Sequence, residues 1–405
     1  MNENDKSNPS LERLFESPVT RRELLKRGAG LAGAAVLAGS MGTVLSACGS
    51  SGGSSGGSST AGVTINWLTW PGHGIRAIID PFEKQTGIKV KVKEYSSGDL
   101  GLTEMSQNPG VYDAVTTSCE YVPEYVKADL LMEMDPTEYP AWKDYLPEFQ
   151  KDIGYNVNGK YYTILYEFGY LDLMYRQDRL STSDVGSYAI LWDPSLKGKV
   201  GFQDWWGNSM GWVSLYNGNN PANGKNPFEI SNTEFEKVKK TLFTMKPQVA
   251  GFYELAAIFS NFANDTIWAY PGGGDWATLL LRDQGLPVAS SVPKEGGVLW
   301  GEAISIVKDT KKLDAAKKLV AYLMSPDAQA KLATKPSYSA IVPNKKAWTL
   351  LQNNDPSWAT RLQMNQFTDP CAITPWRENK IAVRLLPKNQ TIEEWANVWA
   401  EFKAS

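Results

Sequence analysis

Histidine is all but missing from this chain: His73 is the only one in 405 residues. A Ser-His-Asp triad would have to be built on that one side chain, and an HExxH helix or a His-rich zinc site cannot be built. Cysteine is scarce as well, with Cys48, Cys119 and Cys371 and no Cys-x-x-Cys pair, so no redox motif is supported. An excess of one charge is lacking: 41 Lys and Arg stand against 44 Asp and Glu, a formal net charge of -3. A nucleic-acid partner would want a basic face, and none is expected. Gly-x-x-x-x-Gly-Lys-Ser/Thr is absent, which removes the P-loop. With no nucleophile–base pair and no cluster of metal ligands, neither an enzyme nor a cofactor nor a metal is expected, although isolated carboxylate pairs can act in glycosidases.

A strongly apolar run of membrane-spanning length is missing too. The apolar stretch from Gly28 to Ala47 is mostly glycine and alanine, where a transmembrane helix would want Leu, Ile and Phe. It follows Thr20-Arg21-Arg22-Glu23-Leu24-Leu25-Lys26, which resembles a twin-arginine export signal, and ends in Leu45-Ser46-Ala47-Cys48, which resembles a lipobox. On that reading residues 1–47 are a leader, and Cys48 is acylated and tethers the protein outside the cytoplasmic membrane. The alternative is an ordinary N-terminal anchor with Cys48 merely a cysteine. Residues 49–60 are almost all Gly and Ser, a flexible coil with a span of about 20 Å. Residues 48–61 are therefore the lipidated cysteine and linker. Without residues 1–47, which hold six Lys/Arg and five Asp/Glu, the formal charge is -4. Cys119 and Cys371 would then share an oxidising compartment, where a disulfide and two buried thiols are both open.

What the body has is tryptophan, 15 in all, a side chain suited to cores and to the walls of cation sites. It also has alternating elements. Val63–Leu68 reads as a strand. Ile75, Ile78, Ile79 and Phe82 mark one face of a helix that Gly87 stops. Ile88–Lys93 alternates apolar and lysine, a strand with one wet face. Tyr112–Thr117 is a third strand and Tyr121–Leu131 a second helix. Such alternation predicts an α/β fold with parallel pairing and a ligand outside the carboxyl ends of the strands, where Trp67–Trp70 and Ser118–Glu120 fall.

Three groups of residues carry a resemblance. Asn66-Trp67 with Trp70, Phe82–Val90 and Tyr112–Ser118 form the first, and Gly198–Asp204 the second. The third runs from Pro293-Lys294-Glu295-Gly296-Gly297 through Trp300-Gly301-Glu302 to Ala315–Val320 and Ser325–Ala330. Together they resemble the spermidine/putrescine-binding proteins of bacterial ABC importers. The resemblance implies a two-lobed periplasmic-binding-protein fold of type II with a hinge of crossing strands. It implies lobe 1 over 62–167 and 297–337, lobe 2 over 168–296, and a C-terminal segment 338–405 across both. The expected partners are a small amine, a permease and its ATPase, with the protein itself a monomer.

A polyamine needs carboxylates for its ammonium groups and an aromatic slot for its methylenes. Carried over residue by residue, the resemblance implies Glu302 as the amine anchor with Trp300 beside it. It implies Trp67, Trp70 and Tyr270 as walls, and Ser118, Glu120, Asp204, Trp205 and Tyr338 as further contacts. The family's acid at 302 is usually Asp, position 120 is more often aromatic, and the Asp204-Trp205-Trp206 loop lacks an expected second acid. Asp275 is a possible replacement, or a plain turn residue. Core packing is the alternative for each indole, and a solvated acid for Glu120. Those departures leave a second expectation open, an amino-acid derivative or small anion clamped by Arg377. His73, beside the expected cleft, is either a pH-tuning group or an unremarkable loop histidine.

Overall fold

The structure is a computed structural model that describes residues 60, 62–335, 338–365 and 369–405. The chain divides into two units, residues 1–57 and 58–405, and only the second is described. The leader, the Cys48 motif and nearly all of the linker lie outside the described residues.

Among the described residues ten strands form the sheet: β1 (Thr64–Thr69), β2 (Lys89–Glu94), β3 (Ala114–Ser118), β4 (Ile164–Arg176), β5 (Val200–Gln203), β6 (Val249–Tyr253), β7 (Ala269–Gly273), β8 (Val288–Ser291), β9 (Gly297–Ile306) and β10 (Ile381–Val383). The order along the main path is β2-β1-β3-β9-β4-β7-β5-β6, with β8 on β4 and β10 on β9. The alternation predicted β1, β2 and β3, and β1 indeed lies parallel to both β2 and β3. The helix between β1 and β2, α1 (Arg76–Thr86), buries Ile78, Ile79 and Phe82. Gly87 ends it at φ 71°, a left-handed conformation that glycine adopts without a Cβ penalty. The second predicted helix is shorter than its pattern, Val122–Lys127: Tyr121 belongs to a tight turn over Cys119–Tyr121, and the helix stops before Ala128, with Asp129 in a left-handed conformation at φ 59°.

β9 departs from parallel pairing. It runs antiparallel to both β3 and β4, sitting between them. β4 is the longest strand, thirteen residues, all buried. Its first part, Ile164–Leu171, pairs with β9, and its second, Asp172–Arg176, pairs with β7 and β8. One strand thus passes from one half of the sheet to the other, as the expected hinge does. Two apolar clusters form the core, one on Ile65, Ile79, Phe82 and Trp348, the other on Phe202, Trp395, Val398 and Phe402. In the latter, the helix Ile392–Ala404, opened by a Thr391/Glu394 capping box, packs Trp399 and Phe402 against Phe202 and Phe252, and Trp395 against Trp206, Phe228 and Phe235. Cys119 and Cys371 are both free buried thiols. No helix among the described residues is long and apolar enough to cross a membrane.

Candidate functional site

A cavity of about 270 Å³ lies where the ends of β1 and β5 meet the middle of β4 and β9. β9 supplies Trp300 and Glu302, two residues apart and therefore on one face. Trp300 stands opposite Gly169 of β4, and its indole lies over that glycine; a Cβ at 169 would come within 2.7 Å of the ring. Glu302 is opposite Ser118 on one side and Glu167 on the other, a row across three strands. A β-bulge between Leu165 and Glu167 sets that second pairing. Trp70, Pro71 and His73 reach the cavity from the loop after β1, Gln203, Trp205 and Asn208 from the end of β5. Trp276 comes from the first turn of the helix Asp275–Asp283, Tyr338 and Arg384 from the C-terminal segment.

Two buried charge clusters share this wall. In the first, Glu167 meets Lys335 at 2.5 Å and His73 Nε2 at 2.7 Å. Burial keeps His73 below its ordinary pKa, hence neutral, with Nε2–H donating to Glu167. Its Nδ1 then accepts from the Tyr166 hydroxyl at 2.5 Å. Burial works against the Glu167 charge, but His73 and Lys335 outweigh it and draw the carboxyl down to about 2. In the second cluster, Arg384 Nε lies 2.9 Å from Glu120 Oε1, and Arg384 Nη1 donates to Asn208 Oδ1 at 2.6 Å. The guanidinium sits 5.1 Å from the Trp205 ring centre. Glu302 accepts from the Ser118 hydroxyl at 3.2 Å through Oε1, while its Oε2 is buried without a partner. Burial pushes the Glu302 carboxyl well up, the neighbouring Glu120 adds to this, and Arg384 only partly opposes it.

The remaining walls are aromatic. Trp70 and Trp205 lie 6.4 Å apart on one side, Trp276 and Trp300 6.3 Å apart and edge-to-face on another, with Tyr338 6.2 Å from Trp276. The indole N–H groups of Trp70, Trp205, Trp276 and Trp300 are all buried without an acceptor. A buried unpaired donor costs about 1–3 kcal/mol, so these walls favour an occupant that carries acceptors.

Of the residues singled out in the sequence, Trp70, Trp205, Trp300, Glu302 and Tyr338 line the cavity. Ser118 and Glu120 stand one layer behind, bonded to Glu302 and Arg384. Four lie elsewhere. Trp67 is fully buried and its indole donates to Thr116, because it points to the opposite face of β1 from Leu68 and packs under α1. Asp204 accepts from Trp399 and Lys403. Tyr270 is buried against Gln203. Asp275 accepts from Ser290 and, with Asp172, lines a separate cavity of about 20 Å³. Arg377, the expected clamp, is half exposed and paired with Glu148. The cavity's arginine is Arg384 instead, delivered by β10, whose Val383 pairs with Leu299 of β9. The sequence reading missed Arg384, Lys335 and Trp276, and it put Glu167 in the crossing strand without its pairing to His73 and Lys335. Only the expectation that residues beyond 338 cross both lobes pointed towards Arg384. Among the described residues no group of three His, Cys, Asp or Glu side chains is placed to hold a metal ion.

The family model described as bacterial extracellular solute-binding protein matches residues 77–364, well over half the chain. The chain belongs to that family. Among the relatives of this solute-binding protein is a spermidine/putrescine-binding periplasmic protein of Escherichia coli K12, 26% identical over 292 residues, 71% of this chain and 80% of the relative. A putrescine/agmatine-binding protein of Pseudomonas aeruginosa is 23% identical over 276 residues, 64% of this chain and 72% of the relative. Solved structures agree on the fold. A putative spermidine/putrescine ABC transporter protein from Listeria monocytogenes superposes with a TM-score of 0.70 at 21% identity, covering 84% of this chain and 98% of its own. A binding protein of A. tumefaciens B6 in complex with glucopine superposes at 0.64 with 13% identity, covering 84% and 100%. These likenesses give a two-lobed periplasmic-binding-protein fold of type II.

Proposed function

We propose that this chain is the solute-binding component of an ABC importer and captures a polyamine-like cationic amine between its lobes. The observation that carries this is Glu302: a buried carboxylate on an aromatic cavity, with one oxygen unpartnered and no cation of its own. An ammonium there would gain a charge-assisted hydrogen bond and indole faces worth about 0.5–2 kcal/mol. Capture works by closure without chemistry: ligand touching both walls selects the closed form, and the permease and its ATPase take it from there. We take lobe 1 as 62–167 and 297–337, lobe 2 as 168–296, and 338–405 as the segment across both; the change of β4's partners, from β9 up to Leu171 to β7 from Asp172, supports a crossing within β4 four residues later than that bound. The protein acts as a monomer, exported by the twin-arginine route and tethered by lipid on Cys48. Replacing Cys48 by Ser is expected to move it from the membrane to the soluble fraction.

A second reading, capture of an amino-acid derivative or a small anion, draws on Arg384 and the acceptor-free indoles at the same cavity. A thermal-shift titration of the full chain with putrescine, spermidine, several amino acids and phosphate separates the two. Ligand at a hundred times its Kd stabilises the protein by about 2.7 kcal/mol. A rise in melting temperature with an amine, lost in Glu302→Gln, is expected; a rise with phosphate or an amino acid alone would overturn the amine reading.

A further inference from the structure

The charges around the cavity narrow the class of amine, an inference that rests on the amine reading above. Lys335 cancels Glu167, and Arg384 cancels Glu120. Among the described residues, Glu302 is the one buried carboxylate on the wall left over. Glu254 also lines the cavity, but it is exposed, where water screens it. Asp172 and Asp275 lie in the neighbouring pocket, whose 20 Å³ has room for a water and not for an aminoalkyl arm. A diamine enclosed here would bury its second ammonium with no carboxylate to meet it and with Arg384 facing it, and an unpaired buried charge is strongly disfavoured. The same region offers donors: Arg384, and four indole N–H groups without acceptors, among six such indoles in the described residues.

We propose that the ligand carries a single ammonium, held by Glu302, and that its far end is neutral and rich in acceptors, turned towards Arg384 and the indoles. Arg384 is then the residue that sets specificity, by occupying Glu120, the carboxylate a second ammonium would need.

Calorimetric titration of the full chain with putrescine, N-acetylputrescine and γ-aminobutyrate tests this, because the three share a four-carbon amine chain and differ at the far end. N-acetylputrescine is expected to bind at least about tenfold tighter than putrescine. Arg384→Gln, which frees Glu120, is expected to shrink or reverse that ratio, with a melting curve to show that the variant is folded; the wild-type ratio stands without it. Putrescine binding as tightly as its acetylated form would overturn the inference and leave the amine reading intact. Tighter binding of γ-aminobutyrate would also overturn it, in favour of a carboxylate on Arg384. No binding by any of the three overturns the inference, and the amine reading falls with it when spermidine gives no thermal shift either.

Discussion

Glu167 and Glu302 face each other across β4 and β9, and both are buried on the wall of one cavity. Their surroundings differ by a single cation. Glu167 has Lys335 and His73; Glu302 has a serine hydroxyl and shares its arginine with Glu120. The first cluster is complete within the protein, so it holds the end of β1 and the segment after Ala333 onto β4. The second is short of a positive charge. A folded chain tolerates such a deficit by keeping a proton on the carboxyl, or by accepting a cation from outside. The comparison separates a structural ion pair from a binding residue where burial alone would not.

The largest effect is expected on the complete side. Lys335→Met strands Glu167 in the interior and should destabilise the protein by about 3–5 kcal/mol, seen in urea unfolding. Glu302→Gln, by contrast, should leave stability unchanged or raised, since it removes a carboxylate without a counter-charge. It should weaken amine binding by about 3 kcal/mol, roughly a hundredfold, in calorimetry. Equal stability losses in the two variants would break the comparison.

Acidity sharpens it. Burial raises the Glu302 carboxyl above its ordinary 4.5 in the empty protein, with Glu120 adding and Arg384 opposing, while Ser118 and Glu167 face it from β3 and β4. As pH climbs above 4.5 the unfolded chain gives up this proton and the folded chain keeps it, so this group's contribution to stability falls with rising pH towards the raised folded value. Amine affinity moves the other way, rising by about tenfold per pH unit below that value and then levelling, as the cation displaces the proton. Both trends should vanish in Glu302→Gln. The smallest effect belongs to the aromatic wall: Trp300→Phe should cost about 0.5–2 kcal/mol of amine binding with little change in melting temperature.

Much of this was legible in the sequence where the physics is local. The apolar period of Ile78, Ile79 and Phe82, the stop at Gly87 and the alternation of Val90 and Val92 depend on near neighbours, and each lies in its expected element. The Trp300-Gly301-Glu302 strand was visible through a resemblance, and its side chains reach the cavity. What the sequence hid is pairing at long range. Lys335 and Glu167 stand 168 positions apart, and nothing near either names the other. Arg377 and Arg384 look alike as residues; a three-residue strand on β9 decides that Arg384 enters the cavity while Arg377 stays outside with Glu148. Trp67 and Trp70 likewise read alike, and the pleat of β1 sends the first into the core. Charges that occupy each other cannot be counted until the fold brings them together.

The central claim is that Glu302 supplies the charge for an ammonium ligand. Its most direct test is calorimetric titration of N-acetylputrescine and putrescine into the full chain and into Glu302→Gln, both checked by melting curve. Binding by the native chain and its loss in a folded Glu302→Gln is the predicted result. Undiminished amine binding without the Glu302 carboxylate would contradict it.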